Sequence, residues 1–253
     1  MTHYHYTKKM KITNLASGSK GNSTLIELDN KTILIDVGLP LSNLENRLGK
    51  SFPSIDILVI THTHSDHIKG LQSVIKKYNP TIYTIENDLQ EKVKSSKIYY
   101  KKNIKEDNLE IELFNLSHDV PCAGVYIKYN DQELVYITDT GYIKDRLIKQ
   151  YKNKDIYIIE SNYEEEMLQN GRYPHHLKQR IRSDRGHISN EDCCRYLKSL
   201  IGEKTKYIML AHLSEENNNP EIVEQRTTQL IKTIEYKPKK VILNQDKINK
   251  IEV

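Results

Sequence analysis

The chain has 253 residues, of which 37% are hydrophobic and 28% charged, and 38 lysines and arginines against 34 aspartates and glutamates give a formal net charge of +4. This length and composition predict a folded globular protein and exclude a small disulfide-stapled module and a disordered chain. Because no run approaches the roughly 20 apolar residues that span a bilayer, no signal-peptide pattern opens the chain and the three cysteines have no framework spacing, we expect a cytoplasmic protein with reduced thiols and no membrane partner.

The first half of the chain begins with β-branched runs and then alternates strands with helices. Strands are predicted at 11–15, 23–28 and 31–36, and the Asp29-Asn30 pair between the last two is typical of a hairpin turn. The alternating part is predicted as helix 41–49, strand 55–61, helix 68–78, strand 81–85 and helix 88–95. This order indicates a sheet that starts antiparallel and is then covered by helices.

The second half repeats the same plan. Its predicted elements are strands 109–114, 125–129 and 133–138, helix 143–151, strand 156–160, a helical region, a helix that runs to Ile201, strand 207–211, helix 220–234 and a last strand at 240–243. Ser189 and the acidic Asp192 predict the N-cap of the helix that Gly202 ends. Two mixed β halves flanked by helices predict an α/β (α+β) protein, built as a four-layer αββα sandwich from one domain over residues 1–253.

Four potential metal ligands follow one apolar strand within six residues. In the run Thr61-His62-Thr63-His64-Ser65-Asp66-His67, the two histidines that flank Thr63 project to the same side of an extended backbone. Asp66 and His67 follow where the chain turns into a helix. Each of the two pairs can therefore serve one of two metals.

Four other apolar strands also lead to residues of ligand type, which are Asp36, His118, Asp139 and His212. Strand ends at one sheet edge can converge, and so many imidazoles and carboxylates packed together would cost on the order of several kcal/mol without cations. The predicted metal ligands are His62, His64, Asp66, His67, His118, Asp139 and His212. Asp36 is expected either to bind metal or to orient a ligand imidazole from behind, and is kept outside the set.

The predicted ligand set contains nitrogen and oxygen but no thiolate, which suits two Zn²⁺ or Mn²⁺ ions and also allows Fe or Co. Two such ions about 3.5–4 Å apart can bridge a hydroxide whose pKa falls toward about 7, and can neutralise the attacking and departing oxygens. This chemistry favours phosphodiester cleavage. The isolated histidines His3, His5, His175 and His176 are expected to be turn residues or satisfied polar groups instead.

The H-x-H-x-D-H run, with the later His, Asp and His in the same order, resembles the metallo-β-lactamase superfamily. The chain is similar in particular to the YycJ/WalJ-type subfamily, on segments 15–23, 138–142, 160–162, 171–174, 186–190 and 210–214. This resemblance implies that one metal is bound by His62, His64 and His118, that the other is bound by Asp66, His67 and His212, and that Asp139 bridges them.

The same resemblance implies catalytic roles for Asp66 and His187. Asp66 would take a proton from the metal-bound water, and the His187 imidazolium would stabilise charge at the scissile phosphate or protonate the leaving oxygen. The alternative for His187 is a buried histidine beside a helix cap. The residues expected to hydrogen-bond substrate, or only to shape their turns, are Ser17, Ser19, Asn22 and Ser189.

Members of the subfamily are regarded as nucleases, so the resemblance implies a 5′ to 3′ DNA exonuclease in which a metal-bridging hydroxide attacks phosphorus. His64 in place of an acid disfavours a flavodiiron-type redox role, and Asp139 in place of cysteine disfavours lactam hydrolysis of the B1 type. Three alternatives stay open: a phosphodiesterase for cyclic nucleotides, a thioester hydrolase of the glyoxalase II type, and a non-catalytic, metal-stabilised nucleic-acid-binding protein. The net charge is modest and the sequence contains no long basic block, which permits a nucleic-acid partner but argues only weakly for one. A homodimer is a further expectation.

Overall fold

The structure is a computed structural model that describes residues 9–94 and 97–253. The elements of the first half are β1 (Lys11–Ala16), β2 (Ser23–Glu27), β3 (Thr32–Ile35), α1 (Leu41–Leu48), a 3₁₀ turn (Gly49–Ser51), β4 (Ile57–Ile60), α2 (Ser65–Ile68), α3 (Leu71–Tyr78), β5 (Thr81–Thr84), α4 (Leu89–Lys92) and β6 (Ile98–Tyr99). Those of the second half are β7 (Asn103–Glu106), β8 (Leu109–Leu116), β9 (Cys122–Tyr129), β10 (Gln132–Ile137), α5 (Asp145–Gln150), β11 (Ile156–Glu160), α6 (Glu165–Asn170), α7 (His175–Arg182), α8 (Asn190–Leu200), β12 (Tyr207–Ala211), α9 (Pro220–Thr233), β13 (Lys239–Ile242) and β14 (Asn249–Glu252).

Two mixed sheets contain the strands of the described ranges. The first has the order β14-β1-β2-β3-β4-β5-β6, and the second has the order β13-β12-β11-β10-β9-β8-β7. Antiparallel pairing at one side of each sheet gives way to parallel pairing at the other, from β3 to β6 in the first sheet and from β10 to β13 in the second. The predicted hairpin between β2 and β3 is confirmed by their antiparallel register.

Three apolar clusters separate the layers and confirm the four-layer sandwich. Along β3, Ile33 and Ile35 lie in the cluster between the two sheets, whereas Leu34 lies in the cluster beneath the helices of the first half. This alternation follows from the two-residue period of a strand. A third cluster joins the outer face of the second sheet to the helices of the second half, for example through Leu147 and Leu197. Both sheets are thus buried on two faces.

The predicted helix 68–78 is wrong at its start, because the structure has the short α2 and a separate α3. The break falls at Gly70, whose backbone N–H donates to the Val37 carbonyl at 2.8 Å. A Cβ at Gly70 would lie 2.2 Å from the carbonyl oxygen of Leu39. The close approach of the loop after β3 therefore requires glycine and interrupts the helix.

Several other differences concern short or polar elements. The chain does not finish with the strand at 240–243, because β14 follows it and pairs with β1 through Ile12 and Ile251. β6 and β7 are also additional to the prediction, and the unassigned helical region consists of α6 and α7. The predicted helix 88–95 corresponds to α4, while Ser95, His3 and His5 lie outside the described residues. No helix of the described ranges is long and apolar enough to cross a bilayer.

Candidate metal centre

The predicted ligands come together where the carboxyl ends of strands from both sheets meet. Asp36, Asp139 and His212 each follow a strand directly or after one residue, with left-handed φ values of 60°, 60° and 56°. Asp and His adopt this backbone region more readily than most residues, although it still carries strain. The sharp turn at each strand end lets the side chain point into the site while the chain leaves the sheet.

Two triads of ligand atoms result. Those of His62, His64 and His118 lie within 4.8 Å of one another, and so do those of Asp66, His67 and His212. These are the triads that the family resemblance implied.

Asp139 lies between the two triads. Its Oδ2 is 3.3 Å from His67 Nε2, and its Oδ1 is 3.4 Å from His212 Nε2. Asp139 also forms a group with His62 and His67 within the same 4.8 Å limit. Its carboxylate therefore reaches both triads, as a bridging ligand must.

Three atoms of this cluster are buried and have no hydrogen-bond partner within the described part of the chain. They are His62 Nε2, Asp139 Oδ2 and His212 Nε2. Each buried polar atom left without a partner costs about 1–3 kcal/mol, so such atoms are rare in folded proteins. Two imidazole nitrogens and a carboxylate oxygen are suitable ligands for a divalent cation, so the residues present fit a metal site.

Asp36 orients the imidazoles rather than joining the triads. Its Oδ2 accepts hydrogen bonds from His67 Nδ1 at 2.7 Å and from the Thr61 hydroxyl at 2.7 Å. The Thr61 hydroxyl in turn lies 3.1 Å from His62 Nδ1. Protons fixed on the Nδ1 atoms leave the Nε2 lone pairs of both histidines facing the site, an arrangement typical of metal-binding histidines.

Glu160 supports the second triad and is missing from the predicted site. It is fully buried, and its Oε1 accepts hydrogen bonds from His212 Nδ1 at 2.8 Å and from His187 Nδ1 at 2.7 Å. One carboxylate oxygen thus sets the orientation of a candidate ligand and of the candidate catalytic histidine. The sequence contained the signal, because Glu160 ends an apolar strand just as Asp36 follows one.

Asp119 is a second residue missing from the prediction. Its Oδ1 lies 3.2 Å from His64 Nε2 and 3.3 Å from His118 Nε2, and its other oxygen is paired with Arg180. Burial raises the pKa of Asp119, but the neighbouring His118, His64 and Arg180 outweigh it and hold the pKa below its usual range. No sequence signal distinguishes Asp119, because it lies in an ordinary polar turn after His118.

The electrostatics of the cluster favour positive charge at its centre. Burial lowers the pKa of His67, but the Asp36 and Asp139 carboxylates outweigh it and raise the pKa to about 10. Burial raises the pKa of Asp66, but the neighbouring His212 and His67 imidazoles outweigh it and hold the pKa far below the ordinary carboxyl value. The carboxylates that raise the pKa of His67 in this way also favour a divalent cation beside it, whereas burial lowers the pKa of His62 and His118 and favours their neutral, metal-binding form.

The backbone around α2 is held by two loops. The Asn22 N–H donates to the Asp66 carbonyl at 2.8 Å, and the Val37 N–H donates to the His67 carbonyl at 2.8 Å. A Cβ at Gly38 would lie 1.8 Å from the Asp66 carbonyl oxygen. These contacts fix the position of the two ligands that α2 carries.

Three of the four residues expected to bind substrate have structural contacts instead. The Ser17 hydroxyl accepts from the His212 N–H at 2.8 Å, and the Ser189 hydroxyl accepts from the Asp192 N–H at 3.0 Å, which confirms the predicted N-cap of α8. The Asn22 amide pairs with the Gly18 backbone at 3.0 and 3.1 Å. All three are buried, so the structure does not support direct substrate contact for them.

A pocket opens in front of the cluster. Among the predicted site residues it is lined by Ser19, His64, Asp66, His118, Asp139, His187 and His212. His187 is about one fifth exposed, and its Nδ1 is bound to Glu160. His175 and His176 lie exposed on α7.

Comparisons with known proteins place this geometry in a family. Residues 31–212 match a family model described as a beta-lactamase superfamily domain. The chain is 39% identical over 224 residues to exodeoxyribonuclease WalJ of Streptococcus pneumoniae, and the alignment covers 82% of this chain and 83% of the relative. It is 35% identical over 235 residues to exodeoxyribonuclease YycJ of Bacillus anthracis, with 86% and 87% covered. The metallo-beta-lactamase fold protein YhfI from Bacillus subtilis has a TM-score of 0.73 at 18% identity, over 96% of this chain and 100% of that one, a likeness of fold.

Proposed function

This chain belongs to the beta-lactamase superfamily and has the metallo-β-lactamase fold, and from that membership we propose that it is a metal-dependent exodeoxyribonuclease with two divalent cations. The observation that carries the proposal is the pair of ligand triads joined by Asp139, in a chain that is 39% identical to an exodeoxyribonuclease over most of its length. The relatives give no support to a homodimer.

The donor set and the unpartnered buried atoms support a dinuclear site. One cation would be held by His62, His64 and His118, the other by Asp66, His67 and His212, with Asp139 shared. Imidazole and carboxylate donors suit Zn²⁺ and also Mn²⁺. When bound, such a pair supplies positive charge and a water of lowered pKa for cleavage of a phosphodiester.

Asp66 is placed to accept a proton from the attacking water. Its Oδ2 lies 3.5 Å from His67 Nε2 and 3.8 Å from His212 Nε2, and Asp66 lines the pocket. The carboxylate therefore lies at the boundary between the cluster and the space that substrate would occupy.

His187 is placed to donate a proton to the leaving oxygen. Because its Nδ1 is bound to Glu160, Nε2 is the nitrogen that can carry the proton for substrate. The hydrogen bond to the Glu160 carboxylate fixes the orientation of the ring. His187 lines the pocket, and its Nδ1 lies 3.8 Å from Asp139 Oδ1, whereas His67 Nε2 lies 3.3 Å from the other oxygen, Oδ2.

The test is hydrolysis of a substrate panel by the purified protein in Mn²⁺ or Zn²⁺. Linear DNA labelled at the 5′ or the 3′ end should be shortened to mononucleotides, and loss of the 5′ label first would support the 5′ to 3′ direction. Asp66→Asn should lose nearly all turnover while its circular dichroism stays that of the wild type. Asp131→Asn is the matched control. Asp131 is exposed and precedes the first residue of β10, whereas Asp139 follows the last one, so the control removes a carboxylate far from the cluster.

Three results would contradict the proposal. Cleavage of cyclic mononucleotides alone would favour the small-substrate phosphodiesterase. DNA binding with no hydrolysis under either metal would favour a non-catalytic protein. Unchanged turnover in Asp66→Asn would refute the assigned role of that carboxylate.

A further inference from the structure

The segment 172–185 concentrates positive charge beside the pocket. It contains Arg172, Lys178, Arg180, Arg182 and Arg185 and a single acid, Asp184, so its net charge of +4 equals that of the whole chain. None of the α7 residues in this segment is buried. A helix that contributes nothing to the core and carries this charge points to an anionic partner rather than to a role in folding.

Polar contacts with α6 hold this segment in place. Lys178 Nζ donates to the carbonyl oxygens of Gln169 and Gly171, both at 2.7 Å. Arg182 pairs with Glu165 and donates to Gln169 Oε1 at 2.9 Å. Lys178 and Arg182 thus anchor α7 through one side of the helix.

Arg180 and Arg185 belong to a different group, because both line the pocket in front of the metal centre. Arg180 is paired with Asp119 but has a side chain that is 60% exposed, and a guanidinium has five N–H donors. Arg185 is exposed and has no ion-pair partner within ranges 9–94 and 97–253. Both side chains can therefore bind phosphate without breaking the anchoring contacts of α7.

Apolar and aromatic side chains of the same segment also line the pocket. Leu177 and Ile181 are four residues apart on one face of α7, and they line the pocket together with Tyr173. Tyr173 is partly exposed, as an aromatic side chain must be to stack on a base. A cationic rim beside an aromatic side chain is the arrangement with which proteins bind single-stranded nucleic acid.

We propose that the segment 172–185 is a binding platform for a single DNA strand, in which Arg180 and Arg185 hold backbone phosphates next to the scissile one and Tyr173 stacks on a base. This inference rests on the proposed nuclease function and specifies its substrate class. A cyclic mononucleotide has one phosphate, which the metal centre would hold, so it would leave both arginines without an anion. A polymer supplies further phosphates at the rim.

The test is binding of a fluorescent, phosphorothioate-linked oligodeoxythymidylate, measured by anisotropy across a series of NaCl concentrations with the metal-loaded protein. Arg180→Gln and Arg185→Gln should each weaken binding and each reduce the slope of log affinity against log salt by about 0.7. Tyr173→Leu should lower affinity about fivefold or more, whereas Tyr173→Phe should bind like the wild type. Arg146→Gln on α5 is the control, because it removes an exposed helical arginine that does not line the pocket and should leave the slope unchanged.

Wild-type slopes in both pocket arginine variants would overturn the platform, as would equal slope losses in Arg146→Gln. Equal affinities of Tyr173→Leu and Tyr173→Phe would overturn the stacking. If the wild-type protein cuts DNA but both arginine variants keep the wild-type salt slope, the platform is refuted and the proposed nuclease function stands. If the oligonucleotide binds with the expected slopes but the protein never cuts DNA, the proposed nuclease function is refuted and the platform stands.

Discussion

Replacing Glu160 with glutamine tests whether this buried carboxylate sets the orientation of the metal centre. Oε1 accepts from His187 Nδ1 and His212 Nδ1 at 2.7 and 2.8 Å. Oε2 accepts from the backbone N–H groups of Thr140 and Ile188 at 3.3 and 3.4 Å. The four neighbours are therefore all donors, and a glutamine amide has an acceptor for only one pair of them.

The expected cost follows from these distances. The amide should keep its oxygen toward the histidines, because those bonds are shorter, and its NH₂ would then face the N–H groups of Thr140 and Ile188. Two buried donors without an acceptor, together with the lost charge, should lower the free energy of unfolding by about 2–4 kcal/mol. Because a neutral amide oxygen holds His212 less firmly than a carboxylate does, metal affinity should fall about 10–100-fold.

Urea unfolding followed by circular dichroism measures the first effect, and competition with a chromophoric zinc chelator measures the second. Glu133→Gln is the matched control, since Glu133 is also a buried glutamate but lies near the start of β10, away from the cluster. The control should lose stability and keep its zinc affinity. Wild-type zinc affinity in Glu160→Gln would refute the orienting role of Glu160.

Three further outcomes are expected. Zn²⁺ at a hundred times its dissociation constant should raise the free energy of unfolding by about 2.7 kcal/mol. The protein should then melt at a higher Tm, and EDTA should reverse this increase. An unchanged Tm would count against the metal site. Ser189→Ala should cost about 1 kcal/mol in urea unfolding, because the hydroxyl caps α8 at Asp192, and no loss would contradict the cap. Burial raises the pKa of Glu133, but hydrogen bonds from Lys154 and Tyr126 outweigh it and hold the pKa below the ordinary 4.5. The ionised Glu133 should therefore stabilise the fold above pH 4.5, and this stabilisation should be lost as the pH falls through the lower pKa of the folded state. In Glu133→Gln the free energy of unfolding should fall less steeply with decreasing pH in this range. An equally steep fall in the variant and the wild type would refute the assignment.

The strands that carry ligands were predictable because burial on two faces leaves long apolar runs that end abruptly in a polar residue. Ile57–Ile60 before His62 is such a run, and so is Tyr207–Ala211 before His212. The same physics made the four-layer sandwich predictable. β14 was missed because an edge strand buries little, and in Asn249–Glu252 only Ile251 is buried.

The supporting residues of the site were harder to predict than its candidate ligands. Glu160 has the strand-end pattern of Asp36 and lies in segment 160–162, which carries the family resemblance. The sequence nevertheless predicts no role for it in the site, because its partners His187 and His212 lie 27 and 52 residues further along the chain. Asp119 depends on Arg180, 61 residues away. Contacts between side chains so distant in sequence depend on loop conformation, which hydrophobic periodicity does not encode. Cytoplasmic location and the homodimer stay predictions.

The left-handed backbone at Asp36, Asp139 and His212 is strain that the site itself maintains. Glycine at any of these strand ends would relieve about 1 kcal/mol of backbone strain but would remove a carboxylate or imidazole from the centre. At Asp36 the loss would also leave the buried Thr61 and His67 donors without their acceptor, at about 1–3 kcal/mol each, which exceeds the strain relieved. Directed evolution that rewards thermal tolerance alone would therefore retain this aspartate, so the residue that orients the candidate ligands is kept for stability as well.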